Sequence, residues 1–171
     1  MRPELEREYT EYVSGRLTRL HRTAYMLCGD AHRADDIVQA TLTTLYVSWK
    51  RVVAADNMDG YVHRILVRRY LDERRRRWAR VRLGDTTASA GTVAAADHGV
   101  VVRDELLTAL RTLPKGQRAV VVLRYFDDLS VEDTANALGC SAGNVKSQCA
   151  RGLATLRQAL GVSLETTRSQ G

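Results

Sequence analysis

The 171-residue sequence predicts an all-α protein built as two small helical domains joined by a flexible linker. Three observations carry that reading. Apolar residues recur every third or fourth position in long stretches on both sides of the chain's middle, the period of an amphipathic helix. No run alternates apolar with polar residues as a half-buried strand does. The middle, Gly84 to Gly99, has five Ala, three Gly and three Thr among its sixteen residues and no aromatic ring. Such a segment cannot bury enough surface to offset its ordering entropy, so it reads as linker. A short Ala-rich helix is the alternative, because Ala is the strongest helix former. The domain limits that follow are 1–82 and 103–171, with 83–102 between them.

In the first domain Leu5, Tyr9, Tyr12, Val13, Leu17, Leu20, Ala24 and Leu27 trace one stripe of a long helix. Gly29 ends it, and Asp30 is placed to cap the next. That second helix puts Ala34, Ile37, Val38, Thr41, Leu42, Leu45, Tyr46 and Trp49 on one face, Tyr46 and Trp49 both being expected in the core. A polar loop, Ala54–Gly60, leads to a third helix predicted to begin near Tyr61, with Ile65, Leu66 and Tyr70 inward and a dense set of Arg outward. Three helices with no intervening strand make a bundle.

The second domain is punctuated more sharply. Leu106, Leu107, Leu110 and Leu113 form a stripe that stops at Pro114, a residue suited to the first turn of a new helix. Val120, Val121, Leu123 and Tyr125 follow. Ser130-Val-Glu-Asp133 has the spacing of an N-capping box and opens a helix through Leu138. Gly139 ends that helix, Cys140 occupies the turn, and Ser141 caps a last helix expected to run to about Leu160. Two helices joined by so short a Gly-containing turn have the helix-turn-helix layout.

Charge and composition restrict the function. Lys and Arg outnumber Asp and Glu by 26 to 20, a net +6, which suits a polyanionic partner. The 44% of apolar residues is enough for a core and excludes wholesale disorder. Cys28, Cys140 and Cys149 are too few and too scattered for a disulfide framework and point to a reducing cytoplasm. No stretch approaches the ~18 continuous apolar residues of a membrane span, and Glu4, Glu6, Glu8 and Glu11 do not fit a signal peptide. A cytoplasmic protein without membrane insertion is the expectation. His21, His32, His63 and His98 fall at no metal-ligand spacing, and Cys28 with His21 and His32 is a weak zinc candidate at best. Neither a Gly-rich phosphate loop nor a nucleophile–base set is present, and the adjacent Asp35 and Asp36 point apart on a helix. No catalytic residue, metal or cofactor is therefore assigned, and the chain is not read as an enzyme.

Two basic stretches carry the chemistry instead. In the last helix Ser141, Asn144, Lys146, Ser147, Gln148 and Arg151 supply donors for a major groove, while Val145, Leu153 and Leu156 hold the other face inside. Gly143 and Ala150 keep that surface low. From Arg64 to Arg82, nine Arg face only Asp72 and Glu73, a local +7. Arg64, Arg68 and Arg75 fall along one edge as a track for phosphates; five neutralised phosphates would give a log–log salt slope of about −4 to −5. Tyr61, Tyr70 and Trp78 lie close by, and rings interleaved with Arg suit unpaired bases.

At this point the residues resemble a known family. Gly29-Asp-Ala-His-Arg-Ala-Asp-Asp-Ile-Val-Gln39, followed by Gly60-Tyr-Val-His-Arg-Ile-Leu-Val-Arg-Arg69, is similar to region 2 of a sigma factor. Leu113-Pro-Lys-Gly-Gln-Arg118, Leu123-Arg-Tyr-Phe126, Leu129-Ser-Val-Glu-Asp-Thr-Ala135, Leu138-Gly-Cys-Ser141 and Gly143-Asn-Val-Lys-Ser147 resemble region 4. Both sets in this order, with a short linker between, resemble the extracytoplasmic-function branch of the bacterial sigma-70 family.

The resemblance implies a factor that binds core RNA polymerase, at the β′ clamp helices and the β flap, and directs initiation at promoters. It implies that Asp35, Asp36 and Gln39 make polar contacts with the clamp helices around Ile37 and Val38, taken as exposed aliphatics. It implies that the loop Ala54–Gly60 accepts a base flipped from the melted −10 element, with Asp56 and Asn57 at its edge. Tyr61, Arg64, Arg68, Arg69 and Arg75 would hold the melted strand. Ser141, Asn144, Lys146, Ser147, Gln148 and Arg151 would read the −35 element as duplex. An anti-sigma protein wedged between the domains is a further partner that the linker would permit. Departures from the family pattern are Arg68, where an Asn is usual, Ala40 in place of an acid, and Gln148 and Ala150 in place of basic or bulky residues. The alternative reading is a helix-turn-helix regulator that binds duplex DNA without joining polymerase; it accounts for 103–160 but leaves the Asp35-Asp36 helix and the Arg run unexplained.

Overall fold

The structure, a computed structural model, describes residues 2–84 and 103–168, the side chains of 162–168 excepted. The linker expected at 83–102 lies, save for its first two residues, outside the described part. The chain divides into two compact units between Val100 and Val101. Every regular element among the described residues is helical, as the sequence predicts.

Unit 1 is a three-helix bundle: α1 (Pro3–Cys28), α2 (Ala31–Val53) and α3 (Met58–Arg82), each packed on the other two. Its first turn is set by two adjacent residues. Gly29 adopts φ 71°, and its N–H closes α1 on the carbonyl of Tyr25 at 2.7 Å. A side chain there would cost about 1–2 kcal/mol, so Gly is the natural stop. Asp30 then caps α2 by accepting from the Arg33 N–H at 3.1 Å. Of the residues predicted to face inward, Ile37, Val38, Leu45, Trp49 and Leu66 are each no more than 2% exposed, and Val52, Val62 and Val67, which the sequence reading did not name, are buried with them. Full burial of side chains of this size contributes about 1.5–3 kcal/mol each.

In unit 1 one boundary and one core residue differ from the sequence reading. Helix α3 starts at Met58 rather than near Tyr61, because Asn57 accepts the Gly60 N–H at 2.9 Å and so caps a helix three residues earlier. Tyr46 is 40% exposed, whereas Trp49 is buried. The ring of Tyr46 lies at the margin of the α2 stripe and meets Tyr9 edge-on at 5.3 Å, a contact that leaves one face to solvent.

Ion pairs lock the bundle from outside. Arg33 on α2 holds Glu73 on α3 through two hydrogen bonds, 2.9 and 2.7 Å, with both side chains about one-quarter exposed. This parallel two-bond geometry is the strong form of an Arg–carboxylate pair. Tyr9 adds a bond from α1 to the Leu42 carbonyl of α2 at 3.0 Å.

Unit 2 comprises α4 (Asp104–Thr112), α5 (Lys115–Val121), a π-helical turn (Val122–Phe126), α6 (Val131–Leu138) and α7 (Ala142–Arg168). Helix α7 packs against α4, α5 and α6 and extends past the expected end near Leu160. Ala119 to Leu123 are buried without interruption, so this segment is apolar on every side. Helix α4 lacks a Gly stop; instead the Arg118 guanidinium donates to the carbonyls of Leu110, Arg111 and Leu113, satisfying the orphan acceptors of the last turn. The π-helical turn is not foreseen by the apolar spacing. It closes with Asp127 N–H on Val122 O at 3.2 Å, and Asp128 leaves it at φ 54°. Ser130 caps α6 by accepting from Asp133 N–H at 3.0 Å, Gly139 ends it at φ 68°, and Ser141 caps α7 by accepting from Asn144 N–H at 3.1 Å.

Gly152 of α7 is buried, and a Cβ built there would stand 2.8 Å from Val121 Cγ2 and 3.4 Å from the Gln117 carbonyl. Gly152→Ala is expected to destabilise unit 2 by about 1–3 kcal/mol despite the better helix propensity of Ala, because of overpacking. Glu73→Ala should destabilise unit 1 by about 1–3 kcal/mol, since it strands a half-buried guanidinium. Urea unfolding followed by circular dichroism checks both.

Candidate nucleic-acid interface

The surface of unit 1 follows from what α2 must bury. Ala34, Ile37, Val38, Thr41, Leu45, Trp49 and Val52 turn inward, which leaves Asp36, Gln39, Thr43 and Val47 on the outer face. Ile37 at 1% and Val38 at 0% exposure correct the sequence reading: they are core residues, not aliphatics offered to a partner. The reason is their own helical spacing, which puts them on the stripe of Ala34 and Thr41. The apolar part of the outer face is instead Val47, 81% exposed, with Tyr46 beside it. Sequence reasoning missed Val47; its place between the polar positions Thr43 and Lys50 was the available signal.

Asp35 and Asp36 differ in environment. Asp35 lies 3.2 Å from Nδ1 of His21, a residue buried on α1. Asp36 is exposed at one side of a cleft whose other lining residues include Arg76, Arg77 and Arg80 of α3. Among the described residues no ion pair within 4 Å joins Asp36 to these Arg.

The loop between α2 and α3 is short, and its conformation is built from α1 as well. Asp59, in the first turn of α3, accepts from Tyr12 Oη and Arg16 Nε, each at 2.8 Å. Arg16 also lies over the Tyr12 ring, 4.1 Å from its centroid. Burial pushes the Asp59 carboxyl up, but the bonds from Arg16 and Tyr12 outweigh it and hold the group below its usual value near 3.8. Burial and the Asp59 bond both push the Tyr12 phenol well up. Neither Tyr12 nor Asp59 is singled out by the sequence, because their partnership spans 47 residues. Asp56 and Asn57 are exposed beside this cluster; Asn57 Oδ1 is occupied in capping α3.

On α3, Arg64, Arg68 and Arg75 are exposed along one edge, Tyr61 is half-buried, and Tyr70 is core. Arg69 is drawn off that edge: it donates to Thr44 Oγ1 at 2.7 and 3.1 Å and lies 4.0 Å from Asp72. In unit 2, Asn144, Ser147, Gln148 and Arg151 share one face of α7 at helical spacing, with Lys146 on its flank. Asn144, Lys146, Ser147 and Arg151 are exposed and Gln148 is half-buried. Val145, fully buried against Val120 and Ala135, fixes the opposite face. Ser141 is exposed, but its Oγ is held by the cap. Burial pushes the Cys28 thiol up to about 11, so it stays protonated at neutral pH. Among the described residues no group of three or more His, Cys, Asp or Glu is placed to hold a metal ion.

A helix-turn-helix with a donor-rich second helix, and a separate bundle with an Arg-lined helix, define a DNA-binding protein made of two recognition modules. Residues 13–80 match the family model described as Sigma-70 region 2, and residues 103–156 match Sigma-70, region 4. The chain is 35% identical to the RNA polymerase sigma-E factor of Streptomyces avermitilis, over 90% of this chain and 85% of that one. It is 33% identical to the ECF RNA polymerase sigma factor SigM of Mycobacterium tuberculosis, over 83% and 71%. Its fold is that of the sigma factor RpoE in a co-crystal structure with the anti-sigma factor NepR from Bartonella quintana: TM-score 0.79, 24% identity, covering 91% of this chain and 98% of that one. The chain belongs to the sigma-70 family and is a sigma factor of its extracytoplasmic-function branch. The regulator that never joins polymerase is not favoured, since region 2 and the full-length relatives account for the first unit as well as the second. No helix among the described residues is long and apolar enough to cross a membrane.

The lowered Asp59 sets an expectation with a definite sign. A carboxyl held below its unfolded value stabilises the fold at neutral pH, and that contribution is lost as pH falls through the folded value, below about 4. Asp59→Asn should therefore be less stable than the parent at pH 7 and converge with it in strong acid. Thermal unfolding across pH 2.5–7 tests this; parallel curves at every pH would remove Asp59 from the structural network.

Proposed function

We propose that this sigma factor docks on core RNA polymerase through the outer face of α2 and holds promoter DNA with both units. Asp36 and Gln39 make the polar contacts with the β′ clamp helices, with Asp35 steadied by His21 at the edge. Ile37 and Val38 act beneath this face, by setting its position. Asp56 and Asn57 flank a base flipped from the −10 element, and the Tyr12–Asp59–Arg16 cluster holds that loop in place. Tyr61, Arg64, Arg68 and Arg75 track the melted strand, with Arg69 as a brace to α2. In unit 2, Asn144, Lys146, Ser147, Gln148 and Arg151 read the −35 duplex, and Ser141 positions the helix that carries them. The β flap is the polymerase contact of this unit. An anti-sigma protein is the further partner, and the cytoplasm is the place of action. The chain contributes recognition and positioning, and has no catalytic group of its own in this reading.

The observation that carries the proposal is the exposure, on two separately folded units, of one Arg edge and one donor-rich helix face. An unpaired strand and a duplex groove need different surfaces, the first a charged track with rings nearby, the second a helix with short polar side chains.

Asp36→Arg is expected to abolish association with core polymerase while leaving helical content intact; normal binding in a pull-down would overturn the docking assignment. Arg151→Ala should weaken holoenzyme binding to promoters carrying the −35 element by about 1–3 kcal/mol, as loss of a base contact does. An unchanged affinity would take Arg151 out of the reading face.

A further inference from the structure

The Arg run of α3 is used on one side only by this account. At about 100° of turn per residue, Arg64, Arg68 and Arg75 fall on one edge, while Arg76, Arg77 and Arg80 fall roughly 140° round the helix from it. A strand that follows the first set does not reach the second. Arg76, Arg77 and Arg80 instead line a cleft of about 290 Å³ between α3 and α2, whose α2 wall is Asp36, Ile37 and Ala40.

The charges of this cleft are matched unequally. Glu73 is held by Arg33 through two hydrogen bonds, and Asp72 lies 4.0 Å from Arg69, so both acids of α3 have a partner within unit 1. Among the described residues no ion pair within 4 Å engages Arg76, Arg77 or Arg80, nor Asp36 across from them. Arg76 and Arg80 stand one turn apart with like charge, an arrangement that weakens an isolated helix. Ala40, half-buried in the opposite wall, supplies no counter-charge and leaves room for one from outside.

The lining selects the class of partner. A phosphate backbone carries one sign of charge and would have to pass the carboxylates of Asp36, Asp72 and Glu73 to reach these guanidiniums. A protein surface carries both signs, so its carboxylates can meet the Arg while its bases meet Asp36. Asp36 belongs both to this cleft and to the outer face of α2, which makes the two surfaces continuous.

We propose that Arg76, Arg77 and Arg80 are polymerase-docking residues, the basic half of a two-signed surface whose acidic half is Asp36, and that the core enzyme presents carboxylates to them. The inference rests on the reading of α2 as the docking helix and moves three members of the Arg run from nucleic acid to protein.

The test measures association of the full chain with core polymerase in the absence of DNA, then promoter opening by the assembled holoenzyme. Arg76→Glu/Arg80→Glu should weaken association with core by roughly 10- to 100-fold, as like charges set across an interface do. Arg76→Gln/Arg80→Gln should weaken it less and make it less sensitive to salt, and Arg76→Lys/Arg80→Lys should stay close to wild type. With core in saturating excess, promoter opening by the Gln variant should return to the wild-type level. Unchanged core affinity of a folded Glu variant, beside loss of binding by Asp36→Arg, would overturn the proposal and leave the docking reading standing. Equal core affinity of the Gln and Lys variants would overturn it as well, whether or not the Glu variant folds. A deficit in opening that persists at saturating core would overturn it in favour of a nucleic-acid contact. Normal core binding by Asp36→Arg would overturn the docking reading and this inference with it.

Discussion

The organisation of unit 1 depends on α2 having to bury one complete stripe between α1 and α3. Seven of its residues are committed inward, from Ala34 to Val52. Everything else about that helix is then fixed by geometry: positions three and four residues apart share a face, so the polar and the bulky exposed residues have only one place left to go. Asp36, Gln39 and Val47 owe their positions to Ile37, Val38 and Trp49. The outer face proposed to dock on polymerase is in this sense the complement of the core, and a change in the core would rotate it as a whole.

The same economy governs charge. Unit 1 places more Arg on α3 than its acids can neutralise, yet not every Arg is available. Glu73 takes Arg33 from α2, and Thr44 takes Arg69 back towards α2. These two bonds sort the guanidiniums into braces and an outward set. A run of Arg read from sequence carries only the sum; which members remain for phosphate depends on neighbours from other helices. The sorting does not neutralise the run, because Glu73 is spent on Arg33 of α2 and Thr44 carries no charge, so α3 keeps its excess of positive charge.

Elements defined by local chemistry were legible in the sequence. Gly29, Asp30, Ser130, Gly139 and Ser141 act within a turn of themselves, so their roles as stops and caps follow from residue type. The donor face of α7 was legible for the same reason, because Val145 and its neighbours mark the inward side. What was not legible depends on contacts over long separations or on a change of helical pitch. Asn57 caps where a loop was expected, since the glycine three residues on gave no apolar signal. Asp59 gains its partners from α1. The π-helical turn begins inside a run of five buried residues, Ala119 to Leu123, where no amphipathic period exists to be read. Ile37 and Val38 were placed on two faces at once by pattern and by resemblance, and the pattern prevailed.

The contact at Gly152 has a consequence for the evolution of promoter choice. Because α7 comes so close to Val121 and Gln117 at a position with no side chain, its rotation about its own axis is set there, on the side facing away from the groove. A larger residue would roll the helix by some degrees and swing Asn144, Ser147 and Arg151 to a new azimuth without altering any of them. With α7 reading the −35 duplex as proposed, sequence preference would drift through a residue on the opposite side of the helix.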